Sequence, residues 1–246
     1  MNIIGKGIYC KRELPVKGAL INLDLDNKGE KQYRVLSIDG NVAKLLGMSD
    51  ISTSQYNATS KTTSMNTITV QQYAESTLDN YLNITWYNTL KDTIKDAIIP
   101  QTITQDAWYG SASGIPSYSG TYGTTVPGTN NYNISKFTRG PLRVGDRNIY
   151  ALSVQDVISY LSDENMRVDT SAILRNVNIW KMFWNTEIQS DDYSNLWLRS
   201  ASATNTERVW AIGGSAGYLG FATPVNDAAV RPAFNIDLSK IPYSIV

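Results

Sequence analysis

The chain has 246 residues, 42% of them hydrophobic and 18% charged, with 22 basic and 22 acidic side chains and a formal net charge of zero. A chain this long can bury a substantial core without help, and its neutrality removes the basic face that nucleic acid or an anionic membrane would need. Histidine is absent and Cys10 is the one cysteine, which excludes an intramolecular disulfide, a cysteine zinc cluster and every Ser-His or Cys-His nucleophile pair. No run approaches the ~20 apolar residues of a membrane span, and the first residues, MNIIGKGIYCKREL, hold no apolar core of signal-peptide length.

From Gly7 to Met48 the sequence reads as short strands between turns: Ala19–Leu23 after Gly18, then Tyr33–Ile38 and Val42–Leu46, with the Asp39-Gly40 step as a hairpin signal. The stretch Ser52–Asn66, which holds four Ser and four Thr, reads as an exposed polar loop. Val70, Tyr73, Leu78 and Leu82 recur at near-helical intervals. Trp86, Leu90, Ile94 and Ile98 then fall four apart, so two amphipathic helices are predicted, the second ending before Pro100. The Gly, Ser, Thr, Tyr and Asn of residues 108–133 predict an irregular insertion anchored by its tyrosines. Asn148–Leu152 reads as a strand running into a third helix, where Ser153 and Asp156 have capping-box spacing and Val154, Val157, Ile158 and Leu161 form an apolar stripe. With no internal repeat and no clean break in composition, a single domain over residues 1–246 is expected.

Two stiff apolar brackets, Trp197–Ser200 and Val230–Phe234, read as buried strands. Between them Ala201–Asn226 carries four Gly and mixes Thr, Asn, Ser and aromatics with no steady period of 2 or 3.6. That pattern suits a scaffold presenting a surface: Trp210, Tyr218 and Phe221 offer contact area, and Ser, Gly and Asn offer adaptable hydrogen bonds. Trp210, flanked by Val209 and Ala211, equally suits a sheet core. Arg199 and Arg231 stand in apolar strands and need carboxylate or carbonyl partners there, with ligand contact as the alternative. The pairs Asp24 with Asp26 and Asp191 with Asp192 have the chemistry of calcium ligands but no EF-hand pattern, and read as solvated turns. Trp184-Asn185-Thr186-Glu187 approximates the Trp-Asn-Asp strand of calcium-dependent lectins, with Thr186 where a metal ligand belongs. No metal or other cofactor is expected.

The order TLDNYLNITWYNTL, NIYALSVQDVISYL, LWLRSASA, a Gly-containing stretch and VRPAFNIDL resembles a family of bacterial and phage proteins with a C-type-lectin-like fold. The likeness extends to the N-terminal YRVLSIDGNVAKLL. Several targets of diversity-generating retroelements belong to that family; in them a reverse transcriptase rewrites adenines in a C-terminal cassette, altering ligand contacts and sparing the scaffold. The resemblance implies an α+β, C-type-lectin-like domain of small twisted antiparallel sheets with two or three helices and a loop-rich ligand face. It places the cassette at Ala201–Ala228 and scaffold positions at Trp197, Leu198, Arg199, Ser200, Gly213, Gly214, Arg231, Pro232 and Phe234. It turns Ala203, Thr204, Asn205, Thr206, Arg208, Trp210, Ile212, Ser215, Tyr218, Gly220 and Phe221 toward a ligand. Asp227-Ala228-Ala229 stands before Val230 where a Gly is common. Formylglycine-generating oxidases share the fold class but need cysteine chemistry, and Cys10 lies outside the matching region. The implied protein is a non-catalytic binder of a protein or glycan receptor on a host cell surface, carried on a phage tail or another displayed surface. Its partners include neither nucleic acid nor an inserted membrane. The alternative is a structural tail or baseplate subunit that contacts only virion proteins.

Overall fold

The structure, a computed structural model, describes residues 13–110, 123–125, 134–170, 173–174, 176–187, 190, 192–214 and 217–246. In chain order the strands are β1 Leu20–Leu23, β2 Lys31–Asp39, β3 Val42–Gly47, β4 Ser52–Gln55, β5 Thr62–Met65, β6 Ile68–Gln71, β7 Ile98–Ile99, β8 Gln101–Gln105 and β9 Ala107–Tyr109. They continue as β10 Gly123–Thr125, β11 Ser135–Phe137, β12 Leu142–Arg147, β13 Leu196–Ser202, β14 Val209–Gly213, β15 Tyr218–Ala222, β16 Asp227–Val230, β17 Ala233–Asp237 and β18 Ser244–Ile245. The α-helices are α1 Thr77–Asn80, α2 Asp92–Lys95, α3 Val154–Leu161 and α4 Asn176–Trp184. The fold is mixed α+β, built mostly of small antiparallel sheets with a few short helices.

One sheet has the order β18-β1-β2-β3-β17-β7, antiparallel throughout. A second has the order β10-β11-β9-β13-β14-β15, with β16 also on β13 and β4 on β16. Strand β13 meets β16 at Leu196 and β9 at Ala201 and Ser202, both in parallel, and pairs antiparallel with β14. It is buried at all seven positions, as a strand covered on both faces must be. A single apolar cluster joins Ile21, Val35, Leu45, Leu82, Trp108, Leu161, Phe183, Trp197, Trp210 and Phe234, so both sheets and the helices share one core. No helix among the described residues is long and apolar enough to cross a membrane.

The Asp39-Gly40 hairpin forms as expected, with Asp39 opposite Val42 and Gly40 at φ 55°. Helix α3 forms with its full capping box: Ser153 Oγ accepts from Asp156 N, and Asp156 returns a bond to Ser153 N. Other expectations fail for tertiary reasons. Ser52–Asn66 is no simple loop, because β4 finds a partner in β16 and β5 in β6. Val70 lies in β6, and the first helix starts only at Ser76, whose hydroxyl caps Asp79 N. It continues as a π-helical stretch, Tyr81–Trp86, and a 3-10 turn, Tyr87–Thr89. The chain then extends at Leu90 (ψ 150°), and Lys91 N bonds Leu25 O. Ile98 belongs to β7, opposite Ile236. Trp86, Leu90, Ile94 and Ile98 are all buried, so their spacing marks burial but not a continuous helix. Helix α4 has no counterpart in the sequence reading. Trp184 closes it and Asn185 follows at φ 54°, so the lectin-like Trp-Asn strand does not form.

The second bracket is not one strand either. The chain leaves the second sheet at Val230 and enters the first at Ala233, with Arg231-Pro232 between them. Pro232 has no N–H to give a ladder, but its carbonyl accepts from Gly47 N at 2.9 Å.

Candidate functional site

The segment between the brackets rests on two buried arginine clamps. Strand β13 bulges between Trp197 and Ala201, and there Arg199 bonds Ala151 O at 2.7 Å, Thr104 O at 2.9 Å and the Asp156 carboxylate at 2.7 Å. Burial pushes the Asp156 carboxyl up, yet the Arg199 guanidinium and the Lys44 ammonium outweigh it and hold that group well below the usual carboxylate range. Ser200 Oγ donates to Asp106 and accepts from Val154 N. Arg231 bonds Asp50 at 2.8 Å and Phe183 O, and its guanidinium lies 5.1 Å from the Trp184 ring centre. The arginines are therefore paired inside the scaffold and play no part in an exposed surface.

The expected contact residues fall at two ends of the β14–β15 hairpin, about 13 Å apart for five-residue strands. At one end, Ala203–Arg208 links β13 to β14 and residues 223–226 link β15 to β16. Thr204, Asn205, Thr206 and Glu207 are exposed, and Ala203 and Arg208 are half-buried. The loops are held through their main chain: Ala203 N bonds Trp108 O, Gln71 Nε2 donates to Thr206 O, Gln55 Nε2 to Val225 O and Asn57 N to Pro224 O. Ser202 Oγ accepts from Thr204 N and Asn205 N, capping the turn. Fewer side chains take part: Arg208 reaches Thr223 Oγ1 at 2.6 Å, Asn205 Oδ1 accepts from Glu207 N, and Thr204 Oγ1 donates to Gly110 O at 3.4 Å.

At the other end packing is tight. A Cβ on Gly214 would lie 2.1 Å from Tyr193 O, and one on Gly217 would lie 2.4 Å from Trp180 Nε1. Half-buried Tyr218 stands opposite Gly213, and a Cβ on Gly220 would lie 2.6 Å from its ring. Ser215 lies outside the described residues.

Two expected contacts are core side chains instead. Trp210 is 1% exposed and Ile212 0%. Trp210 bonds Trp108 O, packs edge-on against half-buried Phe221 at 4.2 Å, and would meet a Cβ on Gly110 at 2.7 Å. The alternation along β14 turns its side chains into packed layers on both faces. Gly220 is buried as well.

Sequence reasoning missed Gln55, Asn57, Gln71 and Ser202, which shape the exposed end, and Val225 and Asn226, which are exposed on it; Glu207, which reads from the sequence as a solvated charge, is exposed there too. The unusual Ser, Thr and Asn content of 52–66 was the available signal. Of the expected insertion 108–133, Tyr109 is buried against Phe137 at 6.0 Å, and most of the rest lies outside the described residues. The acidic turn is internally paired, Asp24 with Lys91 at 2.6 Å and Asp26 with Lys31 at 3.5 Å; Asp191 is outside the described residues.

A family model described as "Domain of unknown function (DUF6273)" matches residues 43–238, and the chain belongs to that family. No curated protein and no solved structure matches.

Proposed function

We propose that this protein is a non-catalytic receptor-binding protein with a C-type-lectin-like fold, diversified by a retroelement and displayed on a phage tail or another surface. Its contact face is the end formed by Ala203–Arg208 and residues 223–226, with Phe221 as a flanking contact; Tyr218 stands at the opposite, packed end of the hairpin. The carrying observation is how that end is held. Carbonyls of Thr206, Pro224 and Val225 and amides of Ala203, Thr204 and Asn205 make most of the tethers, so Thr206 can change identity while the loop keeps its shape, and Thr204 and Asn205 can do so at the loss of the Thr204–Gly110 and Asn205–Glu207 side-chain bonds. A recognition surface that must vary on a constant scaffold needs that arrangement. The ligand is a protein or glycan on a host cell; contact through Ser, Thr and Asn side chains needs no metal, so a chelator leaves binding intact.

The test is population sequencing of the gene. Replacements concentrated at adenine-containing codons for residues 203–226, with those for Trp197–Ser200 and Val230–Phe234 constant and a near-copy of the segment beside a reverse transcriptase, support the reading. A uniform spread of substitutions and neighbouring tail genes alone would favour the structural tail subunit.

A further inference from the structure

We propose that a second site, a cavity of about 330 Å³ between the segment leading into β1 (Val16–Ala19), β2, the end of α3 with the chain after it, and α4, binds a small organic anion by its carboxylate or phosphate head. It goes beyond the loop-face reading: no residue lining it belongs to 201–228.

Charge is the first argument. Lys17, Arg34, Arg167 and Lys181 all line the cavity. Arg34 is 5% exposed, and its donors go to neutral acceptors: Gly18 O at 2.9 Å, Lys181 O at 3.0 Å, Met182 O at 3.1 Å and Asn185 Oδ1 at 2.9 Å. Tyr160 adds a further hydrogen bond, and burial draws the guanidinium pKa down. The other buried arginines have carboxylate partners: Arg199 has Asp156 at 2.7 Å and Arg231 has Asp50 at 2.8 Å. No carboxylate among the described residues pairs with Arg34, and an uncompensated buried charge is costly. An anion in the adjoining cavity would supply the missing charge.

The second argument is an orphaned donor. The Arg167 side chain is 7% exposed, and one of its terminal nitrogens lies 3.5 Å from Glu164, itself 79% exposed. Its Nε is buried with no hydrogen-bond partner among the described residues. Buried N–H groups are nearly always satisfied, so Arg167, which lines the cavity, keeps unused hydrogen-bonding capacity beside it. The other nearby carboxylate, Asp163, is engaged by Lys17 at 3.0 Å. Four cations line the cavity, and its lining residues include no carboxylate. Val16, Met166 and Val168 supply apolar lining, so the ligand is a small molecule with an anionic head and a short apolar body. The volume sits at the low end of ligand pockets.

The test is calorimetric titration and thermal melting of the whole chain with inorganic phosphate, sulfate and butyrate, each against chloride at equal ionic strength. Saturable heat and a rise in melting temperature that follows ligand concentration are expected with at least one of them. Phosphate or sulfate alone would identify a phosphate- or sulfate-type ligand, and butyrate alone a carboxylate. Arg167→Gln should weaken that binding by about tenfold or more, the scale of a lost hydrogen bond to a charged group. Should that variant fail to fold, Lys17→Gln, at a position 33% exposed, should weaken binding severalfold. Melting that tracks chloride with all three anions overturns the proposal, as does unchanged affinity in the folded variant.

Discussion

The two ends of the β14–β15 hairpin are held in opposite ways. At the Gly213–Tyr218 end the neighbours press on the positions side chains would fill: Tyr193 O crowds Gly214, and Trp180 crowds Gly217 at φ 59°. At the Ala203–Arg208 end the neighbours bond to carbonyls and amides and leave most side chains outward. Packing against a side-chain position fixes residue identity, whereas bonding to the backbone fixes shape and frees identity. Only the second kind of end can carry a surface that changes.

The largest expected effect lies between the ends. Trp210→Ala removes a buried indole and should cost about 4 kcal/mol, within the range for core aromatics, read as a fall in the urea midpoint at unchanged slope. Asp156→Asn should cost about 3 kcal/mol, since it leaves Arg199 buried without its counter-charge; the site is 17% exposed, which keeps the loss at the low end. Because the folded Asp156 pKa is depressed, its stabilisation is full above the ordinary aspartate value of about 3.9 and is lost as pH falls below it. Urea unfolding at about pH 6 and pH 3 should therefore show a smaller acid loss in the variant than in the parent.

Gly214→Ala sharpens the comparison at the packed end. Its Cβ would meet backbone carbonyl oxygens that cannot swing away, and a cost of about 2 kcal/mol by thermal melting is expected. At the open end, Ser202→Ala removes a cap from two amides and should cost about 1 kcal/mol, with binding weakened because the loop loses its shape.

Some of this was legible in the sequence for physical reasons. The α3 cap and the Asp39-Gly40 turn are written in adjacent residues, where short-range bonds decide the outcome. The partners of Arg199 were foreseeable as a class, because a cation in an apolar strand must be paired. Long-range choices were not legible. Ser52–Gln55 became a strand because β16 offered it an edge, and the four-residue spacing from Trp86 to Ile98 served a broken helix and one short strand at once. Trp210 looked like a contact residue by composition, and it is buried because Trp108 and Gly110, about 100 positions away, close over it. The sequence could point to the segment between the brackets, but not to which of its two ends leaves its side chains exposed.

The most direct test replaces Thr204, Asn205 and Thr206 together by Ala, then measures melting beside adsorption to the bacterial cells that the parent binds. The account predicts a stability loss of about 1 kcal/mol, because the Asn205–Glu207 and Thr204–Gly110 side-chain bonds are removed, a melting shift of about 2–4 °C, and binding weakened at least about tenfold. A melting temperature that falls as far as that of Trp210→Ala, or unchanged binding by a normally folded variant, would contradict it.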